Sequence, residues 1–234
     1  MARINKSLLT KLEIIQVATN SFLEKGYSNT TASSVCKELG MSTGNLTFHF
    51  PTKEHLLAVL VDMLFSFQRK MMEKEADEGY SSVMAICLEL MAMASMCEED
   101  EITRDLYLSA YTSSISLAKI RLNDVHRAKQ AFAQYCQDWT DEQFTEAEIL
   151  VSGIEYATLM TTPDSPTLEI RIAGALEHIL SIYNVPEELR KMKIKRVLDM
   201  DYRSIGRRVL AEFRDYVQQT NYDALEQLFY SSVR

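Results

Sequence analysis

Glycine and proline are scarce in this chain, and their scarcity limits the fold more than any other feature of the sequence. The 234 residues include only seven Gly and four Pro. These two residues supply most tight turns, so a chain with so few of them favours long uninterrupted elements over hairpins. No segment alternates apolar and polar residues as a half-buried strand does, and apolar residues recur instead at spacings of three and four. The sequence therefore predicts an all-α fold.

Gly26, Gly40 and Pro51 divide the N-terminal region into four predicted helices. Hydroxyl residues that favour helix starts precede the later ones, with Thr30 or Thr31 before the second helix and Ser42 before the third. Polar segments such as RLND (residues 121–124) are interpreted as breaks between later helices. The predicted helices lie at 8–25, 31–39, 42–49, 52–75, 81–97, 101–118, 121–138, 142–161, 166–183, 187–199, 203–219 and 222–231.

Residues 41–57, MSTGNLTFHFPTKEHLL, contain a short polar helix that is not stable alone. Helices of about seven residues do not persist in water, so other elements must hold this one in place. Leu46 and Phe50 are four residues apart, share one face and are predicted to pack on the neighbouring helices. The opposite face is then free to carry hydroxyl and amide side chains. Two short helices joined at Gly40 predict a helix-turn-helix unit.

The segment from Ile14 to Leu57 resembles the N-terminal DNA-binding domain of the TetR family of transcriptional regulators. The resemblance covers about a fifth of the chain and implies a three-helix DNA-binding head over residues 1–52. A long fourth helix would join this head to an all-helical ligand-binding and dimerisation domain over residues 53–234. An ordered set of landmarks carries the resemblance: Ile14, Ile15, Ala18, Phe22, Gly26, Thr31, Gly40, Ser42, Gly44, Leu46, His49, Phe50, Lys53, Glu54 and Leu56.

The resemblance also implies a DNA-contacting role for individual residues on and beside the short helix. Ser42 is placed to donate near the start of that helix, and Gly44 lets a sugar-phosphate strand approach the backbone. The expected phosphate contacts are Thr31, Thr47, His49 and Lys53. The expected base contacts are Thr43, Asn45 and Phe48.

Thr47 departs from the family pattern, which usually has a phosphate-contacting tyrosine at this position. A threonine hydroxyl still donates a hydrogen bond, but its reach is shorter. Val35 and Cys36 replace the usual Ile-Ala pair, and Leu39 replaces an alanine, all with apolar side chains. Thr47 keeps an alternative open, namely a helical protein-interaction module that retains the fold without sequence-specific operator binding.

The net charge of −8 at pH 7 is unevenly distributed. Residues 1–70 hold eight Lys or Arg and five Asp or Glu, a net charge of +3, and the remaining residues carry −11. A basic head on an acidic body is compatible with a phosphate-facing N-terminal unit. The charge permits such a contact, and the resemblance implies double-stranded DNA as the partner of the head.

Cysteine and histidine spacing favours neither a metal site nor an enzyme. None of Cys36, Cys87, Cys97 and Cys136 forms a CxxC pair, as expected of a protein in the reducing cytoplasm. No GxSxG, HExxH or Gly-rich phosphate loop occurs, so we expect no catalytic residue, metal or cofactor. The longest apolar run, residues 81–97, is interrupted by Glu89, so no membrane association is expected.

Two late helices are the candidates for self-association. A single head reads one half-site, so a palindromic operator requires a homodimer. Stripes of apolar and small residues on the helices at 142–161 and 166–183 are the candidate interface, although such stripes also occur as intramolecular core. The interface residues predicted are Ile149, Gly153, Tyr156, Ile172, Leu176 and Ile179.

The helices at 81–97 and 101–118 are rich in Met and Tyr, which suit a pocket for a mostly apolar effector. Tyr107, Tyr111 and His126 are the pocket residues predicted, and plain core packing is the alternative. A basic segment at 189–208 is either a second nucleic-acid surface or a solvated face that balances acidic neighbours. The combined expectation is a cytoplasmic repressor that an unknown small-molecule effector releases from its operator.

Overall fold

The computed structural model describes residues 6–77 and 82–220, and this part of the chain contains eleven α-helices and no strand. The predicted all-α fold is confirmed. The predicted helix at 222–231 lies outside the described residues. The helices are α1 (Lys6–Lys25), α2 (Ala32–Leu39), α3 (Thr43–His49), α4 (Lys53–Ala76), α5 (Val83–Glu99), α6 (Glu101–Thr112), α7 (Ser114–Ala131), α8 (Asp141–Leu159), α9 (Leu168–Ile182), α10 (Glu187–Leu198) and α11 (Tyr202–Gln219).

Local signals set the boundaries of α2 and α3. Thr31 is the N-cap of α2 and forms a capping box with Ser34. Thr30 instead is buried and donates to the carbonyl of Gly26 at 2.8 Å. Gly40 ends α2 with φ of 63° in the left-handed region, where a glycine carries no Cβ penalty. Ser42 caps α3 by accepting from the N–H of Asn45.

α5 is the centre of the body. It packs against α4, α6, α8, α9, α10 and α11, and most of its side chains are buried. Gly206 permits the close approach of α11, since a Cβ there would lie 3.0 Å from the carbonyl oxygen of Ala92. Within the described ranges, none of the helices is both long and apolar enough to cross a membrane.

The prediction of helices at 101–118 and 121–138 is wrong. The break falls at Ser113, and α7 continues through RLND as far as Ala131. The polar residues of that segment have tertiary partners: Arg121 donates to Ser152 at 2.9 Å, and Asn123 donates to Asp62 at 2.8 Å. The hydrogen-bonding groups of this polar segment are therefore satisfied by residues of α8 and α4. The helix can continue through a segment whose sequence is typical of a loop.

Head and body share one buried apolar cluster, which extends from Leu8 on α1 to Val217 on α11. α1 contacts both α6 and α11. The amide of Gln16 on α1 donates to the carbonyl of Val217 at 3.2 Å and lies 3.3 Å from that of Gln218. The predicted division at residues 52 and 53 falls between α3 and α4 and stays a prediction.

Candidate functional site

The outward face of α3 is open. Ser42, Thr43 and Asn45 are exposed, and Phe48 is 77% exposed, the highest value among the large apolar side chains of the described segments. Gly44 is also exposed, and a Cβ there would meet only the hydroxyl of Ser42, at 3.9 Å. No other described element covers this face. An external surface can therefore approach it directly.

The inward face of α3 is fixed to the core. Leu46 and Phe50 are 3% and 5% exposed and belong to the same buried cluster as Phe22 and Val35. Leu39 is only partly buried. Burial of two large side chains supplies the stability that a seven-residue helix lacks. The tertiary contacts therefore hold α3 with its polar side outward.

The hydroxyls of Thr31 and Ser42 are available to an external acceptor. Each oxygen accepts a capping hydrogen bond, from the N–H of Ser34 at 3.0 Å and of Asn45 at 3.2 Å respectively. An accepting hydroxyl retains its own hydrogen for donation. Both residues are exposed, so each can donate to a phosphate oxygen.

Thr47 is exposed, but its hydroxyl is engaged within α3. The oxygen lies 3.1 Å from the carbonyls of Thr43 and Gly44, to which the hydroxyl donates. Back-bonding of this kind is common for threonine in helices. A phosphate contact from Thr47 would require the side chain to leave these carbonyls, which a tyrosine at this position would not need to do.

Lys53 can both stabilise the head and contact a phosphate. Its ammonium donates to the carbonyls of Tyr27 and Thr30, both at 3.0 Å, and lies 3.9 Å from the centre of the Tyr27 ring. These contacts tie the start of α4 to the α1–α2 turn. A lysine has three donors, so one remains for a phosphate.

His49 is half-buried and uncharged near neutral pH. Burial and the nearby charge of Lys11 lower the pKa of the imidazole below its usual value. Its Nδ1 atom has no hydrogen-bond partner within the described part of the chain. A neutral imidazole donates from one nitrogen only, so a phosphate contact from His49 would be a single neutral hydrogen bond.

Two adjoining cavities lie in the body, each with a volume of about 30 Å³. They share Ile86, Asp124, Arg127 and Glu155. Tyr111 lines one of them and donates to Glu155 at 2.9 Å. The sequence analysis did not find these charged lining residues, although their occurrence at inward positions of α7 and α8 was a signal.

Of the other predicted pocket residues, Tyr107 is fully buried and donates to Gln68 in the cavity wall. His126 is a correction, because it is exposed and lines neither cavity. Its Nε2 lies 3.1 Å from the amide nitrogen of Gln130. The next residues along α7, Arg127 and Ala128, occupy the inward positions instead.

The predicted self-association stripes divide between surface and core. Ile149 is 50% exposed, Gly153 is exposed and Tyr156 is half-buried, so the α8 stripe reaches the surface. The α9 stripe is a correction, because its three residues Ile172, Leu176 and Ile179 are buried within the chain. The exposed face of α9 carries Ile170, Gly174 and His178. Periodicity locates an apolar stripe but does not distinguish core from interface.

The basic segment at 189–208 is largely balanced by neighbouring acids. Arg203 lies within 3.7 Å of carboxylates on Glu98, Glu99 and Glu169. Arg208 lies 2.9 Å from Glu75 and 3.0 Å from Glu212. The geometry matches a solvated face with acidic neighbours.

An α2–turn–α3 unit with a supported inner face and an open polar outer face is characteristic of helix-turn-helix DNA-binding proteins. Residues 14–60 match the family model described as bacterial regulatory proteins, tetR family. The N-terminal helix-turn-helix region is thus similar to that of the tetR family, and the match is confined to residues 14–60.

A curated helix-turn-helix regulator is similar to part of this chain. The chain is 35% identical over 65 residues to the HTH-type transcriptional regulator QacR of Staphylococcus aureus (strain Mu50 / ATCC 700699). The match covers 28% of this chain and 35% of that protein's length.

Among solved structures, the chain is similar to a gamma-butyrolactone receptor (ArpA-like protein) and to the TetR family protein CprB from S. coelicolor A3(2). Each match has 21% identity and covers 89% of this chain and 100% of the other. The TM-scores are 0.41 and 0.42, too low to argue for detailed superposition.

Proposed function

We propose that this protein is a transcriptional repressor that binds a palindromic operator as a homodimer and leaves it when a small-molecule effector binds the body. The observation that carries the proposal is the open face of α3, held outward by the burial of Leu46 and Phe50. Its exposed groups are suited to a major groove: the amide of Asn45 for an adenine edge, Thr43 for a polar edge and Phe48 for a thymine methyl group.

Phosphate contacts would position the head on the duplex. Thr31 and Ser42, the exposed N-caps of α2 and α3, supply hydroxyl donors. The remaining donor of Lys53 adds a positive charge at the start of α4. These contacts carry no sequence information but fix the register of α3 in the groove.

The exposed face of α8 and α9 is proposed to form the homodimer. It carries large apolar side chains, Ile149, Leu150 and Ile170, each at least 50% exposed. It also carries Gly153 and Gly174, where an added Cβ would meet no atom of the chain within 4 Å. Two such faces can approach closely, and a two-fold dimer would place two heads on half-sites about 34–36 Å apart.

α4 would connect the effector to the heads. It begins at Lys53 beside the α1–α2 turn, and its residues Phe65 and Gln68 line a body cavity. A ligand that binds more tightly to the conformation with misplaced heads must lower operator affinity by the ratio of its two affinities.

The test is selection of binding sites from random duplex DNA by the full chain, followed by fluorescence anisotropy across a range of salt concentrations. We expect enrichment of an inverted repeat and a binding constant that falls steeply with salt. Binding without sequence preference would contradict the operator proposal. Absence of DNA binding even at low salt would favour the alternative, a protein-interaction module without operator binding. The internal hydrogen bonds of the Thr47 hydroxyl are compatible with that alternative.

A further inference from the structure

We infer that the body cavity takes an organic ammonium ion, with the charged nitrogen at Glu148 and Glu155 and an acceptor oxygen of the same ligand at Arg127. The inference rests on the proposed function, because it names the chemical class of the effector. It concerns the two adjoining cavities, which are lined by residues of α4, α5, α6, α7, α8 and α9 and are treated below as one cavity.

The first argument is the charge of the cavity wall. Its lining includes one guanidinium, that of Arg127, and four carboxyl groups: Glu89, Asp124, Glu148 and Glu155. Arg127 pairs with Glu89, and Arg69 from outside the lining pairs with Asp124 at 3.2 Å. Glu148 and Glu155 form no salt bridge within the described residues. Two carboxyl groups in the wall therefore have no directly paired cation in the described chain.

The second argument comes from Arg127, which is 6% exposed. One terminal nitrogen, Nη1, pairs with Glu89, but Nε and Nη2 have no hydrogen-bond partner in the described chain. Buried guanidinium donors without acceptors are costly, because the desolvation is not compensated. Since Arg127 lines both halves of the cavity, a ligand oxygen placed there would satisfy these donors.

The unpaired carboxyl groups retain protons when the cavity holds no cation. Burial, followed by the charge of Asp124, raises the pKa of Glu148 to about 8 and that of Glu155 well above its usual range. Glu148 accepts from Tyr183 and faces Asp124, Arg127 and Arg121. Glu155 accepts from Tyr111 and faces Asp124, Glu148 and Glu89. An ammonium ion would favour the ionised form, so its binding should release a proton.

The wall favours an organic cation over a metal ion. Among residues 6–77 and 82–220, no group of three His, Cys, Asp or Glu is arranged to hold a metal. The carboxyl groups are instead accompanied by the rings of Phe65 and Tyr111, whose centroids are 6.4 Å apart. Aromatic faces attract ammonium groups as well as apolar surface.

The size of the cavity links binding to the heads. A volume of about 30 Å³ in each half has room for only a few water molecules. An organic amine must therefore move the surrounding helices apart. Two of these, α4 and α6, also contact α1 of the head. Ligand entry and head placement are thus mechanically connected.

The test is isothermal titration calorimetry of the full chain, without DNA. The three probes are para-substituted phenols: tyramine, 4-propylphenol and 3-(4-hydroxyphenyl)propionate. They are of similar size and are cationic, neutral and anionic at pH 7. We expect tyramine to bind at least about tenfold more tightly than the others. Titrations in phosphate and Tris buffers should show about one proton released per tyramine bound. Equal or tighter binding of the neutral or anionic probe, or no tyramine binding, overturns the inference.

Variants locate the interaction. Glu155→Gln keeps an acceptor for Tyr111 but removes the charge, so tyramine affinity should fall about tenfold while 4-propylphenol affinity is unchanged. Glu146→Gln, at an exposed position of the same helix, is the matched control. An unchanged tyramine affinity in Glu155→Gln overturns the placement of the ammonium. Fluorescence anisotropy with operator DNA tests the operator proposal separately from the amine proposal. Loss of DNA binding with amine binding intact would contradict only the operator proposal, and loss of amine binding with DNA binding intact would contradict only the amine proposal.

Discussion

The carboxylate of Asp105 on α6 accepts a hydrogen bond from the backbone N–H of Ser28 at 2.8 Å, which joins the body to the α1–α2 turn of the head. The hydroxyl of Ser28 donates to the same carboxylate. Gly26 makes this approach possible, since a Cβ there would lie 2.8 Å from a carboxylate oxygen of Asp105. The same helix carries Tyr111 into the wall of the body cavity. One helix therefore touches both the head and the cavity.

Replacement of Asp105 by alanine should loosen the α1–α2 turn. A hydrogen bond to a charged group contributes about 1.5–3 kcal/mol, so hydrogen exchange at the Ser28 amide should speed by about tenfold or more. Exchange measured by NMR tests this. Glu101→Ala is the control, because Glu101 is an exposed residue of α6 whose side chain pairs, within the described residues, with Arg104. Equal exchange rates in the two variants would show that Asp105 does not hold the turn.

Replacement of Asn45 by alanine should relax operator preference without unfolding the protein. Asn45 is exposed, and its side chain makes no hydrogen bond within the described residues. A good bidentate base contact contributes about 1–3 kcal/mol of discrimination. Anisotropy titrations with the selected operator and with single-base variants measure this. Selectivity identical to that of the original protein would remove Asn45 from base readout.

The two faces of α3 should respond differently to truncation. Leu46→Ala removes a side chain that is 3% exposed and should lower the free energy of unfolding by about 2–4 kcal/mol. Phe48→Ala removes one that is 77% exposed and should leave that free energy within about 0.5 kcal/mol while it weakens operator binding. Urea unfolding and anisotropy give the two quantities. A large loss of stability in Phe48→Ala would mean that the outward face of α3 is part of the fold.

Glu148 should make the protein less stable as pH rises. Its carboxyl group binds a proton more tightly in the folded chain, with a pKa raised to about 8 by burial and by the charge of Asp124. Stability is therefore highest below the pKa of the unfolded chain, about 4.3, and falls as pH rises toward the folded value.

Glu148→Gln removes this titration and retains an acceptor for Tyr183. The stability of the variant relative to the original protein should therefore rise by about 3.5 kcal/mol as the pH is raised from 5 to 8. Urea unfolding at both pH values measures the gain, with Glu146→Gln as the exposed control. A gain that is the same for both variants would exclude Glu148 as the source.

A charge on the exposed face of α8 should dissociate the proposed homodimer. Leu150 is 55% exposed on that face, and Leu150→Glu would bury two carboxylates at a two-fold interface. Light scattering coupled to size exclusion should report a monomer. Met192→Glu is the control, because Met192 is 57% exposed on α10, which is not one of the two helices proposed to form the interface. A dimer that persists in Leu150→Glu would place the interface elsewhere.

The head was largely predictable from the sequence because its signals are local. Gly40 in the left-handed region, the cap residues Thr31 and Ser42 and the four-residue spacing of Leu46 and Phe50 act within one or two turns of the chain. Capping and periodicity are properties of neighbouring residues, so a sequence reports them directly. The helix-turn-helix unit and the exposed face of α3 follow from these signals.

The body depended on tertiary partners. The polar segment RLND resembles a loop in the sequence. It is helical because Asn123 and Arg121 donate hydrogen bonds to Asp62 and Ser152, which are distant in the chain. Ile172 on α9 and Ile149 on α8 belong to similar apolar stripes, yet one is buried and the other exposed.

The sequence by itself determined the helical class, the head and the residues that face outward from α3, because each depends on short-range geometry. Only the tertiary structure decided which stripe is core, where α7 begins and which carboxyl groups meet in the cavity wall. Those outcomes depend on residues that are distant in the chain, such as Arg127 and Glu89, whose pairing no local pattern specifies.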